Sequence, residues 1–241
     1  MLYDIGFMKT IYKIFLLCGL LICVSSVMNA QRIRKRFTSD IHFGLNLATM
    51  DIENGNMYKK LKPGVHIGVN FNYKVLGNIQ LQTGLYVTKK GLKQHVKDRQ
   101  ENWAGTILAE DTIRNLTANY IQVPLAVGYE VYLSNNFAFN INVGMYAAYG
   151  FKGKYREESS YWTKTENNPP TNTVYRPEIE KDTYRYDMLK RLDYGAIGSV
   201  GFIYDIYTLN FTYEYGLYDV SNDVARNLKT RNMAVSLGFR F

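Results

Sequence analysis

Eight ionisable side chains occupy alternating positions in segments whose other members on the same face are small or polar: Asp40, His42, His66, Lys74, Glu130, Asp193, Glu214 and Arg240. Gathered on one face of a sheet, such groups could line a polar conduit or form a small binding site. They can also neutralise one another, because a charge withdrawn from water must be paired. The second reading is the expectation here: an inward-facing structural charge network, with Asp40 and Arg240 forming a salt bridge where the first and last strands meet. Covalent or acid–base catalysis finds little else. A Ser-His-Asp relay has only His42, His66 and His95 to draw on, and no serine stands in a Gly-x-Ser-x-Gly context. No cluster has metal-ligand spacing. Glu157-Glu158 and Glu178, Glu180 and Asp182 read as solvated faces, with weak calcium binding the lesser alternative. No phosphate-binding glycine loop or nucleotide fingerprint is present, so no cofactor is expected. Asp111-Thr112-Ile113 matches a three-residue acceptor for bacterial O-glycosylation at Thr112.

The elements that must position these groups read as strands. The last ten residues alternate strictly: Met233, Val235, Leu237, Phe239 and Phe241 against Asn232, Ala234, Ser236, Gly238 and Arg240. A period of two puts one set on each face of a strand. Seven further segments repeat the pattern, beginning at Ile41, Val65, Ile79, Ile121, Phe137, Leu192 and Tyr207. The cleanest sets Val65, Ile67, Val69, Phe71, Tyr73 and Val75 against Gly64, His66, Gly68, Asn70, Asn72 and Lys74.

The large residues are too many to fit inside eight strands, and Tyr and Phe gather near strand ends. A soluble eight-stranded barrel, the alternative, would bury the large face and leave Gly, Asn and Gln outside. The pattern instead predicts an all-β fold: an eight-stranded antiparallel transmembrane β-barrel with its apolar face in lipid. Pro124 lacks an amide hydrogen and should sit at a bulge or unpaired position. Connections alternate between short turns, as at Leu76-Gly77-Asn78 and Asp205-Ile206, and long joins over 49–63, 91–118, 152–191 and 219–230. Short periplasmic turns and long extracellular loops mark outer-membrane barrels, and an even strand count puts both termini in the periplasm. The third loop, with Asn167-Asn168-Pro169-Pro170, should carry a mobile tip.

The chain of 241 residues has room for one domain of this kind. Lys9 and Lys13, the apolar run 14–24 and Ser25 to Ala30 describe a cleaved secretory signal peptide over 1–30. The run is too short for a spanning helix, and Ile22 before Cys23 argues against a lipid-anchored cysteine. A periplasmic segment, 31–39, precedes a barrel domain, 40–241. Both cysteines, Cys18 and Cys23, leave with the leader, so disulfides are excluded. The net charge of +8 is scattered, which argues against a nucleic-acid partner. Arg32, Arg34, Lys35 and Arg36 suit a tail near anionic headgroups.

Several motifs resemble the PorT-like family of small outer-membrane barrels, of the OmpA/OmpX type. They are Leu81-Gln82-Thr83-Gly84-Leu85 with Thr88-Lys89-Lys90-Gly91, Tyr120-Ile121-Gln122-Val123-Pro124-Leu125, Asn142-Val143-Gly144-Met145-Tyr146 and Asp193-Tyr194-Gly195. The likeness spans roughly residues 40–241, and Tyr-x-x-x-Pro-Leu is its most specific part. It implies an eight-stranded outer-membrane barrel without catalytic residues, and it suggests protein secretion through the member that names the family.

The expected function is a non-enzymatic integral outer-membrane barrel whose Tyr-rich loops (Tyr155, Tyr161, Trp162, Tyr175, Tyr184, Tyr186) serve contact or structural roles. The alternatives are an accessory component of an outer-membrane secretion complex and a small porin-like channel. A lipid-modifying enzyme ranks last. The expected partners are outer-membrane lipid and a protein, either secretion machinery or an extracellular ligand.

Overall fold

Alternation in the sequence becomes alternation of environment in the structure. The computed structural model describes residues 36–52, 58–101, 107–164, 173–185, 188–223 and 227–241. The expected signal peptide, the four basic residues that begin at Arg32 (all but Arg36), and the tip of the third loop lie outside the described residues. Eleven strands follow in order: β1 (Phe37–Ile52), β2 (Tyr58–Lys60), β3 (Lys62–Leu76), β4 (Ile79–Glu101), β5 (Ile107–Tyr132), β6 (Phe137–Lys164), β7 (Val174–Tyr175), β8 (Ile179–Lys181), β9 (Leu192–Tyr204), β10 (Tyr207–Gly216) and β11 (Leu228–Arg240).

Eight of them close a ring in the order β1-β3-β4-β5-β6-β9-β10-β11, every neighbouring pair antiparallel. The seam runs from Asp40↔Arg240 to Ile52↔Leu228. Closure matters because lipid offers no hydrogen-bond partner to an unpaired strand edge. The three short strands lie outside the ring: β2 on β4, and β7 and β8 on β6.

The two faces are inverted relative to a soluble protein. Leu45, Val143 and Leu237 are 66%, 66% and 67% exposed, whereas Asp40 and Glu214 are 2% and 1% exposed. Aliphatic side chains on the outside and charges within match a lipid-facing wall around a polar interior. The barrel is narrow enough that glycine is required where large groups cross it. A Cβ on Gly68 would fall within 2.2 Å of the Tyr86 ring. That ring lies inside the barrel, stacked on His66 with centroids 4.5 Å apart.

The short turns are tight. Gly77 takes φ +55° in the β3–β4 turn and Asp205 takes φ 55° in the β9–β10 turn, as two-residue hairpins require. Pro124 pairs with Tyr146 on the β6 side. On the β4 side the ladder breaks between Thr83↔Leu125 and Tyr86↔Gln122. The Thr83 hydroxyl there donates to the Pro124 carbonyl (2.9 Å).

The long joins differ from expectation. Much of 91–118 and the start of 152–191 is not loop but strand. β4, β5 and β6 continue as a ribbon paired out to Glu101↔Ile107 and Ile107↔Lys164. Outside lipid a strand needs no apolar face, so backbone pairing continues where hydrophobic alternation stops. Lys93, His95, Lys97 and Arg99 against Gln94 and Asp98 give no period-two signal. The ribbon reaches about a dozen residues, roughly 40 Å of strand, past the apolar belt.

Val143 lies on the lipid face in the apolar part of β6, between Ile141 and Phe151. Val143→Arg should lower stability by about 2–4 kcal/mol, measured by urea unfolding in lipid vesicles. Lys97→Ala on the ribbon should change it negligibly. Equal effects at the two positions would refute the assignment of the lipid belt.

Candidate functional site

Interior parity sorts the buried ionisable groups into two layers. The first lies beside the short turns. Arg240 grips Asp40 across the seam with Nε to Oδ1 at 2.6 Å and Nη2 to Oδ2 at 3.2 Å, and its Nη1 donates to Glu130 Oε2 at 2.7 Å. Lys74 Nζ is 2.9 Å from Glu130 Oε1. Asn72 donates to Asp40 Oδ2 (2.7 Å). The Tyr132 hydroxyl bridges Lys74 and Glu130. Two cations face two carboxylates, and the two-pronged Arg–carboxylate geometry is the strong form of such a pair.

The second layer lies at the ribbon end and centres on Lys90. Its ammonium is 2.8 Å from Glu214 Oε2 and 3.3 Å from Asp193 Oδ2. It also sits over the rings of Tyr146 (4.3 Å) and Tyr120 (5.5 Å). Asp193 accepts from Thr230 Oγ1 (3.0 Å) and from the Tyr146 hydroxyl (3.3 Å). Glu214 accepts from Gln122 Nε2 (2.8 Å) and Asn232 Nδ2 (3.2 Å). Asn46 in turn donates to Asn232 Oδ1 (2.8 Å). Every strand of the ring supplies at least one side chain to one of the two layers. Ten residues separate Gln80 from Lys90 on β4. That is about 33 Å of strand and, at a tilt near 40°, roughly 25 Å of barrel axis.

His42 and His66 belong to neither pairing scheme. His42 Nδ1 lies 3.2 Å from Asn210 Nδ2, and its Nε2 is 3.9 Å from Asp40. His66 stacks on Tyr86. Both line a cavity of about 30 Å³ between the layers, with Asn70, Gln122, Asn142 and Glu214 among its other walls. That space suits a single water molecule. The six charged residues selected from the sequence thus fall in two layers, and His42 and His66 line the interval between them.

Sequence reasoning missed Lys90, Tyr86, Tyr120 and Tyr146. Lys90 and Tyr86 share the parity of Gln80, Gln82 and Thr88. Carrying the alternation two residues past Thr88 would have placed Lys90 inside.

Above Lys90 the mouth at the ribbon end is closed by an apolar cap. Tyr184, Leu189 and Val220 pack with Tyr120, Tyr146, Ala148 and Met50. Tyr184 is therefore a cap residue and not a surface contact: it meets Tyr120 edge-on at 6.3 Å. Tyr186 lies outside the described residues, while Tyr175 is well exposed. The cap is tied by Asp219, which accepts from the amides of Leu228 (2.8 Å) and Ser221 (3.0 Å) and faces Lys190 at 3.6 Å. Partial burial works to raise the Asp219 carboxyl. The two amides and the Lys190 ammonium outweigh it and hold the group below the usual carboxylate range.

On the ribbon, Thr112 is 7% exposed and its hydroxyl lies 3.0 Å from Ser159 Oγ, so the folded ribbon does not present it to a glycosyltransferase. His95 pairs with Asp111 on the opposite face.

Two predictions follow from these geometries. Lys90→Met leaves two buried carboxylates without their cation and should cost about 3–5 kcal/mol. Adding Glu214→Gln and Asp193→Asn should recover most of it, measured by unfolding in vesicles; no recovery would mean that Lys90 acts by packing alone. For Asp219, a depressed folded pKa means that its contribution is complete above about pH 4 and is lost as pH falls through the folded value. Amide protection at Leu228, corrected for intrinsic exchange, should hold above about pH 4 and fall as the pH drops below that ordinary carboxylate value. Asp219→Asn should show the loss already at neutral pH. Protection independent of pH would remove Asp219 as the tie.

The comparisons agree with this architecture. The family described as outer membrane protein beta-barrel domain matches residues 29–222. Solved structures that resemble the fold include the attachment invasion locus protein Ail of Yersinia pestis, at 10% identity and TM-score 0.38, covering 86% of this chain and all of that one. Neisserial surface protein A matches at 10% identity and TM-score 0.35, with 86% and 98% covered. OprG of Pseudomonas aeruginosa matches at 11% and 0.33, with 86% and 97% covered. No curated protein sequence matches the chain. With the family matched over most of its length, a closed eight-strand ring and an apolar outer wall, the chain belongs to the outer membrane protein beta-barrel domain family and is an integral barrel of the bacterial outer membrane.

Proposed function

We propose that the protein is a non-enzymatic barrel whose ribbon and cap make contacts outside the cell while the two charge layers hold the wall in register. The observation that carries this reading is the division of the molecule. The interior holds two layers of paired charge and is capped at one end, whereas the three-stranded extension of β4, β5 and β6 stands clear of the lipid belt. Trp162 and Tyr161 near its tip, with Tyr175 beside them on β7, supply the aromatic contact area that interfaces favour. In this reading residues 1–30 are a cleaved signal peptide and 31–39 a periplasmic segment. The barrel domain spans 40–241, with both termini periplasmic and the ribbon extracellular.

The PorT-like motifs support a second reading, an accessory role in an outer-membrane secretion complex, with the periplasmic tail or the lipid face as the docking surface. A small channel is the weakest alternative, since an ion would have to pass both the Arg240 and the Lys90 layers.

The test is cross-linking in intact cells followed by mild-detergent purification, with planar-bilayer recordings of the purified barrel. The surface-contact reading expects a barrel that purifies alone, conducts no current and is cut on its ribbon by protease added outside. A stoichiometric periplasmic or membrane partner would replace it with the secretion role, and steady single-channel openings would replace it with a pore.

A further inference from the structure

One sector of the outer wall holds positive charge without a counter-charge. Where the apolar belt ends on the ribbon side, Lys60, Lys62, Lys89 and Lys93 crowd together. Lys60 and Lys93 stand directly opposite each other in the β2–β4 ladder, a placement that destabilises a sheet when left alone. Lys89 lies two residues beyond Val87, the last exposed aliphatic side chain on that face of β4, and Lys93 follows four residues later. Lys62 lies across Gly91, where a Cβ would come within 2.8 Å of its Cδ. Its ammonium donates to the Leu116 carbonyl (3.0 Å) and to the side-chain oxygens of Asn115 and Thr117. All three acceptors are neutral.

Among the described residues no carboxylate lies within ion-pair distance of any of the four. Several other cations at this end of the molecule are matched: Arg231 with Asp51 (2.9 Å), Lys190 with Asp219, Lys154 with Glu180 (2.7 Å) and Arg114 with Glu157 (2.9 Å). The four lysines are set apart by their crowding and by their place, at the height where lipid chains end and headgroups begin. Directly below it, Val65, Val87 and Ile121 present the aliphatic surface that acyl chains cover.

We propose that this sector seats the phosphate-bearing headgroup of an outer-leaflet lipid, with Lys89 and Lys93 as the phosphate ligands, the Lys62 ammonium adding its charge from beside them, and Lys60 flanking them. Asn115 and Thr117, beside the Lys62 ammonium, offer hydrogen bonds to the headgroup's sugar or phosphate oxygens. The assignment to the outer leaflet rests on the proposed orientation with the ribbon outside the cell. The binding chemistry does not.

The test uses the full barrel in phosphatidylcholine bilayers containing a diphosphorylated glycolipid or its dephosphorylated form. Both leaflets then offer the headgroup, so an error in orientation would not abolish binding. The phosphorylated lipid should bind at least about tenfold more tightly, and the combined Lys62→Gln, Lys89→Gln and Lys93→Gln variant should lose about 100-fold. Replacing the same three by Arg should retain binding. Lys97→Gln with Arg99→Gln, four and six residues or roughly 13 and 20 Å beyond Lys93, should weaken binding far less than the triple variant, because both lie more than a screening length away. Should the triple variant fail to fold, a salt titration of the unaltered barrel decides: binding must weaken steeply with ionic strength. Equal affinity for both lipids, or binding insensitive to salt, would overturn the proposal.

Discussion

The structure depends on one constraint: in lipid, every backbone donor and acceptor must find its partner within the protein. Closing β1 on β11 meets it, and the rest follows from that closure. A ring of eight strands has a lumen just wide enough to be filled by side chains, so what points inward is decided by volume as well as polarity. The large aliphatic residues go outside because lipid accommodates them there without a packing limit. The inner face receives Asn, Gln, Ser and Gly, and admits a bulky ring such as Tyr86 only where a glycine, Gly68, leaves the space beside it.

Within that frame the charge layers do more for specificity than for net stability. A buried ion pair is commonly no better than a well-packed apolar pair, while breaking one is severe. That asymmetry penalises the wrong register. A one-residue slip of β1 against β11 would turn Asp40 into lipid and strip Arg240 of its two-pronged partner, since side chains change face with each residue. The arginine layer spans β1, β3, β5 and β11, and the lysine layer reaches β4, β5, β6, β9, β10 and β11. Placing one layer near each end of the barrel fixes both ends of the strands.

How far the sequence foretold this varies with the local signal. The lipid-facing strands were legible because apolar and polar residues alternate without interruption, as in Val65 to Val75 and Met233 to Phe241. Asp40 and Arg240 could be assigned to one seam since ring closure must bring the first and last strands together. The ribbon was not legible, because Lys93 to Arg99 is polar on both faces and strand pairing outside lipid leaves no hydrophobic period. Lys90 went unrecognised for a related reason. It stands next to Lys89, and two adjacent lysines before a glycine read as the start of a loop. Only the continuation of the strand separates them, sending Lys89 outward and Lys90 inward. Tyr184 misled in the opposite way: an aromatic in a polar segment reads as surface until the cap folds it over Tyr120.

The Lys89-Lys90 pair shows how a barrel of this size can give neighbouring residues opposite tasks. Lys90 is enclosed by Tyr120, Tyr146, Asp193 and Glu214 and is matched by more negative charge than it carries. Lys89, one peptide bond away, faces outward among other lysines with no carboxylate partner among the described residues. The strand wall separates the two environments, so the surplus of cations outside cannot be relieved by the surplus of carboxylates within. Each surface must therefore find its balance locally: the interior through the tyrosine, threonine and amide hydrogen bonds around Asp193 and Glu214, and the outer rim through whatever anions the membrane surface supplies.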